Sequence, residues 1–520
     1  MRTSVLLLSL CFLSFSLYSQ ILPKEGSNLN YRLIGFSFPA NEKTSTYKIE
    51  IALGNYNTED SFKKNIVKTI SCKTNKIVGE VPAFGSQYTW RFVTKNIAIT
   101  KSALYHFSTQ TSVYVDTNIM RFRVMHNAER FKDAYVFLDA TRALYDMDGH
   151  PVWFLPEKSG FEDGNILLRD LKISAFGTIN FVIDGHEAYD IDYNGNVLWK
   201  GPDNGIISGD SSEHYHHEFT RLTNGHYMVL GNEYSQVIIV YSLSGDSSLQ
   251  LLPMNMPLPD GAKKILDSKP FGTIIEYDEK GKVVWSWKSS SYLNGSDILY
   301  HIAPDGSHDL GTNVNSFFFD EKEKAVYLSF KVINRVVKVK YPEGTIMNVC
   351  GESFKPQIGE QMKDLFCGQH SCKISRKGYL YLFNNNDCNW PATPSIVMMQ
   401  QPVSEKDSIK KVWEYKCPTE QTNEEIQAHH QITTAGGNVI ELPDYSIFAS
   451  VCNPYGKVSP YSKVFIVSHD KKILWSATPE KWNAEGKKWQ PLPLYRASII
   501  TSRKDMEHLV WGEEIKDLKE

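Results

Sequence analysis

Residues 369–383 read QHSCKISRKGYLYLF, and this stretch decides how the rest of the chain is interpreted. A histidine opens it, apolar residues alternate after that, a turn at Gly378 follows, and an aromatic strand returns. Residues 216–230, HHEFTRLTNGHYMVL, have the same layout. In both stretches a histidine, His370 or His217, lies eight residues before the turn glycine. Two copies of one hairpin indicate a repeat whose first residues point to a common site.

The composition favours an all-β protein. The 520 residues are 42 % hydrophobic and 12 % aromatic, which is enough apolar and strand-forming material for a large core. The formal net charge is only −3, and no long basic or acidic run is present. The sequence therefore offers no electrostatic argument for a nucleic-acid partner or for an anionic membrane surface.

The first 19 residues have the pattern of a secretory signal peptide. A positive charge at Arg2 precedes an apolar run over residues 5–13 that is too short to span a bilayer, and Ser19 provides the small residue before cleavage. The sequence thus predicts a periplasmic or secreted protein without membrane insertion. Seven of the eight cysteines remain after Cys11, so some are expected to pair and at least one is left over.

Two domains are predicted after the signal peptide. Residues 20–115 carry short alternating strands at 47–53, 76–81 and 87–92, which is typical of a small β-sandwich. Residues 116–130 are interpreted as a connector. The remainder, residues 131–520, is predicted to be a single repeat domain that carries the catalytic residues.

A unit recurs throughout residues 131–520. Its marker is a strand end, a glycine or asparagine turn, and then Val-Trp or a similar pair, as at 145–153, 189–199, 277–285 and 467–475. Each marker predicts a hairpin whose tryptophan packs between neighbouring sheets. Two hairpins make four strands, so the repeat predicts a six-bladed β-propeller in which residues 495–500 close the ring onto the first blade.

The innermost strands of a propeller converge on one channel, so their first residues are the candidate site. Imidazoles and cations gathered there suit an anionic substrate, because a neutral imidazole attacks an electrophile and cations stabilise the charge on transferred oxygens. The candidates are His216, His217, Asn313, Asn315, Lys331, Arg335, His370, His430, Lys463 and Arg496. Two alternatives remain open at this point: the histidines are structural, or His216, His217, His370 and His430 gather a metal, although their spacing matches no metal motif.

Three stretches resemble the bacterial aryl sulfotransferases that do not use the nucleotide sulfate donor: 216–218 before its Asn-Gly turn, 315–329, and 369–371 before 378–385. The resemblance covers most of residues 131–500. It implies an export signal, an N-terminal β-sandwich and a six-bladed propeller. It also implies ping-pong transfer of a sulfuryl group from an aryl sulfate to a phenol through a sulfohistidine. No metal or other cofactor is implied, and a homodimer is possible because dimers occur in the family.

The resemblance assigns roles to individual positions. His370 matches the family's nucleophile, and His217 matches a second catalytic histidine. Asn315 matches the asparagine of the family's His-x-Asn-Ser motif, but Asn313 stands where that motif has histidine. Lys331 and Lys463 stand where the family has arginines. His217, Asn315, Lys331 and Asn313 are therefore expected to bind the sulfuryl oxygens, while His216, His430 and Lys463 are further substrate-binding candidates. Lysine offers a point charge in place of a bidentate fork, and asparagine cannot replace histidine as a proton donor.

Two other functions are alternatives to sulfuryl transfer. The substituted blade-four motif favours a non-catalytic propeller that binds a glycan, a peptide or an envelope partner. A propeller that holds a quinone cofactor requires a ring of channel carboxylates and arginines, and that set is not visible in the sequence. The physiological donor and acceptor, the disulfide pairing and the oligomeric state do not follow from the sequence.

Overall fold

The computed structural model describes residues 21–40, 46–95, 99–157, 167–241, 250–251, 263–293, 297, 301–302, 308–309, 312–351, 365–386, 393–401, 409–417, 436–451 and 462–516. They divide into two compact units, residues 1–110 and 111–520. Nearly all of the regular structure is strand, so the predicted all-β class is confirmed. No helix among the described residues is both long and apolar enough to cross a membrane.

The first unit is built from two sheets and one short helix. Its elements are β1 Ser27–Leu29, β2 Leu33–Ser37, β3 Thr46–Leu53, α1 Glu59–Lys64, β4 Ile66–Cys72, β5 Lys76–Glu80, β6 Gln87–Lys95, β7 Ile99–Lys101 and β8 Tyr105–Thr109. The larger sheet has the order β1-β8-β6-β3-β4 with β7 on β6, and β2 pairs with β5. Buried aromatic side chains, among them Phe36 and Trp90 in edge contact, fill its core.

The described residues of the second unit form six sheets of at least four strands. The first two are formed by β10 Tyr135–Leu138, β11 Ala143–Asp146 and β12 Pro151–Phe154, and by β13 Leu168–Ile173, β14 Ile179–Ile183, β15 Glu187–Ile191 and β16 Val197–Lys200. The third contains β17 Phe219–Arg221, β18 Tyr227–Tyr241, β19 Gln250–Leu251, β20 Lys263–Tyr277 and β21 Val283–Lys288. A separate pair, β22 His301–Ile302 and β23 His308–Asp309, follows.

The remaining sheets complete the unit. The fourth contains β24 Val314–Asp320, β25 Ala325–Phe330, β26 Arg335–Lys340 and β27 Ile346–Gly351, and the fifth β28 His370–Ile374, β29 Leu380–Asn384, β30 Ser395–Gln400 and β31 Lys410–Lys416. The sixth contains β32 Asn438–Glu441, β33 Ile447–Val451, β34 Lys463–Val467, β35 Ile473–Asn483 and β36 Lys488–Pro491. Finally, β37 Ala497–Ile500 pairs with β10 in the first sheet, and α2 Arg503–Trp511 ends the described elements.

These six sheets contact one another as a closed series. Each contacts the next in chain order, and the sixth contacts the first through β32 and β37. The pairing of β37 with β10 is the closure that the sequence predicts for residues 495–500. The first strands β24, β28 and β32 contact one another in series, and the first strand β13 contacts β37.

The marker tryptophans pack between neighbouring sheets, as predicted. The indole N–H of Trp153 donates to the carbonyl of Tyr193 (2.7 Å) in the next sheet. The same bond to the following sheet recurs from Trp285 to Pro342 (2.8 Å), from Trp413 to His469 (2.7 Å) and from Trp475 back to Met147 of the first sheet (2.9 Å). A buried indole needs a hydrogen-bond acceptor, and for these four tryptophans the turn of the next repeat provides it. The marker Trp199 differs: its buried indole N–H has no hydrogen-bond partner among the described residues, and its ring stacks on Tyr227 of the next sheet.

Residues 116–130 differ from the predicted connector. Met120–His126 forms strand β9, which pairs with β35 of the sixth sheet. Met120 and Phe122 are buried on this strand, and the exposed Arg121 and Arg123 both pair with the buried Glu480. The apolar-basic alternation of these residues forms an additional strand because Glu480 and the apolar side of β35 are available to it.

Candidate active site

Three sheets of the second unit have a positive φ angle within or just before their first strand, and in two of them the strand pairing also shifts. The pairing shifts between Arg169 and Lys172 in β13 and between His370 and Lys373 in β28. The positive φ angles are those of Asp170 (58°), His217 (60°) and Ser371 (52°). Residues other than glycine rarely adopt a positive φ, and a shift in strand pairing redirects the side chains beside it. The recurrence of positive φ in three repeats therefore marks a candidate site.

His370 is buried and held through both ring nitrogens. Nδ1 lies 2.7 Å from Asn385 Oδ1 and 3.2 Å from the carbonyl of Gly368, so it carries the proton and donates. Nε2 is therefore the nitrogen with the lone pair, and it accepts the backbone N–H of Gly436 (3.1 Å). Burial, and then the positive charge of Lys331, hold the pKa of His370 well below its usual value. The ring is neutral at pH 7 and has its basic nitrogen at Nε2.

His216 and His217 form a hydrogen-bonded pair. His216 Nε2 lies 3.2 Å from both the carbonyl of Gly231 and Asn232 Oδ1, so this nitrogen donates. Because burial lowers the pKa of His216, the ring is neutral and its Nδ1 accepts. The donor to that nitrogen is His217 Nδ1 at 2.8 Å. The pair thus fixes the tautomer of His217 and leaves its Nε2 with a lone pair that accepts no hydrogen bond from a described residue.

Tyr495 brings the two catalytic candidates together. Its ring lies edge-on to His217 (5.9 Å between centroids) and to His370 (6.1 Å). The Arg169 guanidinium carbon lies 3.6 Å from the centre of the same ring. Burial, then His216, and then the charges of Arg169 and Arg496 hold the pKa of His217 well below its usual value. Two neutral imidazoles therefore lie beside one aromatic ring, with Arg169 acting on His217 and Lys331 on His370.

A buried ionic cluster lies beside the histidines. The Arg496 guanidinium donates to the carbonyls of His217 (3.0 Å) and Asn315 (2.9 Å) and lies 3.4 Å from Asp170 and 3.5 Å from Glu218. Glu218 also pairs with Lys373 (2.5 Å) and accepts the backbone N–H of Phe317 (3.0 Å). The described contacts of Arg496 therefore tie several sheets together, and we assign it a structural role.

The other predicted residues have different placements. Asn315 is buried and donates Nδ2 to the carbonyl of Gln369 (2.8 Å), so it positions the residue directly before His370. Asn313 is exposed immediately before β24, and no described contact joins it to the histidines. Lys463 is buried at the start of β34. Lys331 lies just after β25 and acts electrostatically on His370. His430 lies outside the described residues.

Sequence reasoning did not identify Arg169, Asn385, Gly436 or Tyr495. Asn385, Gly436 and Tyr495 contact the histidines from positions distant in the chain, and no local pattern announces them. Arg169 did carry a signal, because it lies eight residues before Gly177, which is the spacing of His217 and His370 to their turn glycines.

The described residues contain no group of three or more His, Cys, Asp or Glu side chains arranged to hold a metal ion. What the site does contain is two neutral imidazoles with defined tautomers, each near a cation. Such an arrangement accepts an electrophile on one ring nitrogen, moves a proton at the other, and stabilises negative charge on oxygen.

The solved structures that match this chain do so at low sequence identity and low TM-score. The protein described as "Streptogramin B lyase structure" is 10 % identical, with 75 % of this chain and 100 % of that chain covered and a TM-score of 0.35. The luciferin-regenerating enzyme is 10 % identical, with 73 % and 97 % covered and a TM-score of 0.35. AztD from Citrobacter koseri is 8 % identical, with 88 % and 98 % covered and a TM-score of 0.30. With scores this low, no functional argument follows from them.

Sequence comparison is more specific. No curated protein sequence matches the chain. The profile of the Arylsulfotransferase (ASST) family matches residues 266–424, a segment that contains Asn313, Asn315, Lys331 and His370. His217, Arg169 and Tyr495 lie outside this segment. The resemblance to the aryl sulfotransferases is thereby confirmed over residues 266–424, the segment that matches the arylsulfotransferase family.

Proposed function

We propose that this chain is an aryl-sulfate sulfotransferase that moves a sulfuryl group to a phenol by a ping-pong route through a sulfohistidine on His370. We also propose that residues 131–520 form a six-bladed β-propeller that follows a small β-sandwich in the sequence. The observation that supports the activity best is the pair of neutral imidazoles, His217 and His370, in edge contact with one tyrosine ring. The family match over residues 266–424 supplies the reaction class.

In the first half-reaction the lone pair of His370 Nε2 attacks sulfur. The bond between sulfur and the phenolic oxygen breaks, and its electron pair leaves with the phenolate. The ring gains positive charge, which is stabilised because Nδ1–H already donates to Asn385 Oδ1 at 2.7 Å. The charge on the sulfuryl oxygens is compensated by the cations of the site.

In the second half-reaction a new phenol attacks the sulfohistidine. His217 Nε2 takes the proton of the phenol, because the His216 pair keeps the proton of His217 on Nδ1. The phenolic oxygen bonds to sulfur, the sulfur–nitrogen bond breaks, and the electron pair returns to His370 Nε2. In this proposal His217 performs the proton transfer that Asn313, which stands where the family has a histidine, is unable to perform.

The Gly436 N–H is the feature that favours a second function. It donates to His370 Nε2, the nitrogen that the reaction requires. Exchanging this bond for the bond to sulfur costs about 1 kcal/mol, the usual net value of one hydrogen bond, which transfer tolerates. A propeller that has lost transfer activity and binds a glycan, a peptide or an envelope partner needs no such exchange, and it is the alternative that the assay must exclude.

The test is turnover with a chromogenic donor. We expect the purified protein to release 4-nitrophenol from 4-nitrophenyl sulfate, and a second phenol to increase the rate and to appear as its sulfate ester. Parallel initial-rate lines at varied donor and acceptor concentrations would support the ping-pong order. Binding without release across a panel of aryl sulfates and phenols would instead favour the non-catalytic alternative.

The activity is expected to persist at mildly acidic pH. The pKa values of His217 and His370 both lie well below 6.5, so the two rings keep their lone pairs as the pH falls past that value. We therefore predict that kcat/KM for 4-nitrophenyl sulfate is constant from pH 8 to 6.5 and declines only at lower pH. A decline centred at or above pH 6.5 would show that the histidines are not held neutral.

We also propose export to the periplasm or the exterior. Cys367 is disulfide-bonded, which supports an oxidising compartment. Cys72, Cys350, Cys372 and Cys417 are free thiols. Burial raises the pKa of the Cys417 thiol well above its usual value and that of Cys372 to about 11, so neither is a competing nucleophile. A homodimer is proposed only by analogy with the family.

A further inference from the structure

Arg169 occupies the same place in the second sheet that His370 occupies in the fifth. Arg169 is the second residue of β13, and His370 is the first residue of β28. Each lies eight residues before a turn glycine, Gly177 or Gly378. In both sheets the next residue, Asp170 or Ser371, has a positive φ and the pairing shifts there. By sequence spacing, His217 of the third sheet also lies eight residues before its turn glycine, Gly225.

The side chain of Arg169 is buried, and the charges of Asp184 and Asp139 act on it. Its Nε lies 2.8 Å from Asp184 Oδ2, and its guanidinium covers the face of Tyr495. Among the described residues, neither terminal nitrogen of Arg169 has a hydrogen-bond acceptor. The exposed fraction of the residue is 8 %, so the position of the fork is fixed by packing.

Tyr495 connects this fork to the two histidines. Arg169 covers one face of the Tyr495 ring, and the same ring is in edge contact with His217 and His370. The charge of Arg169 also lowers the pKa of both His216 and His217, in each case as a smaller contribution than burial. Its positive charge therefore acts within the site.

We propose that Arg169 binds two oxygens of the sulfuryl group through its terminal nitrogens while the group is transferred. This proposal rests on the proposed sulfotransferase function and extends it to a residue outside the family-matched segment. Lys331 stands where the family has arginine and supplies only a point charge. Arg169 would restore the planar, bidentate donor next to His217.

The chain contains a matched control for this arginine. Arg221 also lies over an aromatic ring, with its guanidinium carbon 4.0 Å from the centre of Phe176, and it pairs with Asp190 at 3.2 Å. It belongs to β17, and none of its described contacts is to the histidines. Arg221→Met therefore removes the same kind of ring contact and ion pair without touching the candidate site.

The experiment measures binding and turnover separately. Binding of 4-nitrophenyl sulfate, inorganic sulfate and 4-nitrophenol is measured by calorimetry in His370→Ala, where no sulfuryl group is consumed, with and without Arg169→Met. Turnover of 4-nitrophenyl sulfate is measured in wild type, Arg169→Met, Arg169→Lys and Arg221→Met. Thermal unfolding of every variant identifies any that fail to fold.

We expect Arg169→Met to weaken binding of 4-nitrophenyl sulfate and of inorganic sulfate, and to lower kcat/KM by roughly 10- to 100-fold, because charge-assisted hydrogen bonds to the sulfuryl oxygens are lost. Arg169→Lys should retain only part of the wild-type kcat/KM. Arg169→Met should bind 4-nitrophenol as before, and Arg221→Met should have wild-type activity. Equal losses for 4-nitrophenol and the sulfated probes, or full activity in a folded Arg169→Met, would overturn the proposal. If wild type binds sulfate through Arg169 but releases no nitrophenol, the proposed function fails and the anion site stands; if it binds neither sulfated probe, both fail.

Discussion

In the His370→Ala variant, release of 4-nitrophenol from 4-nitrophenyl sulfate is expected to fall by roughly four to six orders of magnitude, the range seen when a covalent nucleophile is removed. The reason is that His370 Nε2 is the only one of its two ring nitrogens with a lone pair, since Nδ1 donates to Asn385 and to the carbonyl of Gly368. Without that nitrogen the remaining groups bind the donor but form no covalent intermediate.

The control for this substitution is His150→Ala. His150 is exposed in a turn of the first sheet and lies 3.3 Å from Asp146, so its removal tests the effect of losing an imidazole elsewhere. We expect wild-type rates in His150→Ala. A loss of less than tenfold in His370→Ala would mean that another group takes the sulfuryl group, and the Nε2 of His217 would then be the first candidate because no described residue donates to it.

Glu218→Gln is expected to give a large loss of stability, about 3 to 5 kcal/mol, because it leaves buried cations without their counter-charge. Glu218 pairs with Lys373 at 2.5 Å and lies 3.5 Å from Arg496, and all of these contacts are buried or nearly so. Arg496 in turn holds the backbone carbonyls of His217 and Asn315. Denaturation by urea, followed by tryptophan fluorescence, measures the loss.

The stabilisation that Glu218 provides is expected to decrease as the pH falls. Burial alone would raise the pKa of Glu218, but Lys373, Arg496 and Lys172 outweigh it and hold the pKa at about 2. Its stabilisation is therefore complete above about pH 4.5 and disappears as the pH falls through 2. The difference between wild type and Glu218→Gln should narrow over that interval.

A surface carboxylate serves as the comparison for Glu218. Glu343 pairs with Lys340 at 3.1 Å, with both side chains about half exposed. Glu343→Gln should leave the free energy of unfolding almost unchanged, as the loss of an exposed ion pair usually does. If Glu218→Gln costs no more than Glu343→Gln, the buried cluster does not hold the sheets together in the way we describe.

Local sequence patterns predicted those features that local chemistry determines. The turn glycines and the following tryptophans identified the hairpins, and the indole N–H groups do bond to the next sheet, from Trp153 to Tyr193 and from Trp475 to Met147. The spacing of His217 and His370 to their turns identified two side chains that the fold brings to one tyrosine ring. These features repeat, and repetition makes a weak local signal readable.

The features that sequence reasoning missed depend on distant partners. The hydrogen bonds that fix the tautomer of His370 come from Asn385 and Gly436, and the ring beside it belongs to Tyr495. Residues 116–130 looked like a connector because the acidic partner of their arginines, Glu480, lies far along the chain. Tertiary contacts of this kind leave no periodicity in the sequence.

The most direct test of the proposed mechanism is the mass of the protein after mixing with 4-nitrophenyl sulfate in the absence of an acceptor phenol, followed by peptide mapping. We predict a transient gain of one sulfuryl group on the peptide that contains His370, absent from His370→Ala and discharged when a phenol is added. No adduct, or an adduct mapped to any other residue, would contradict the account.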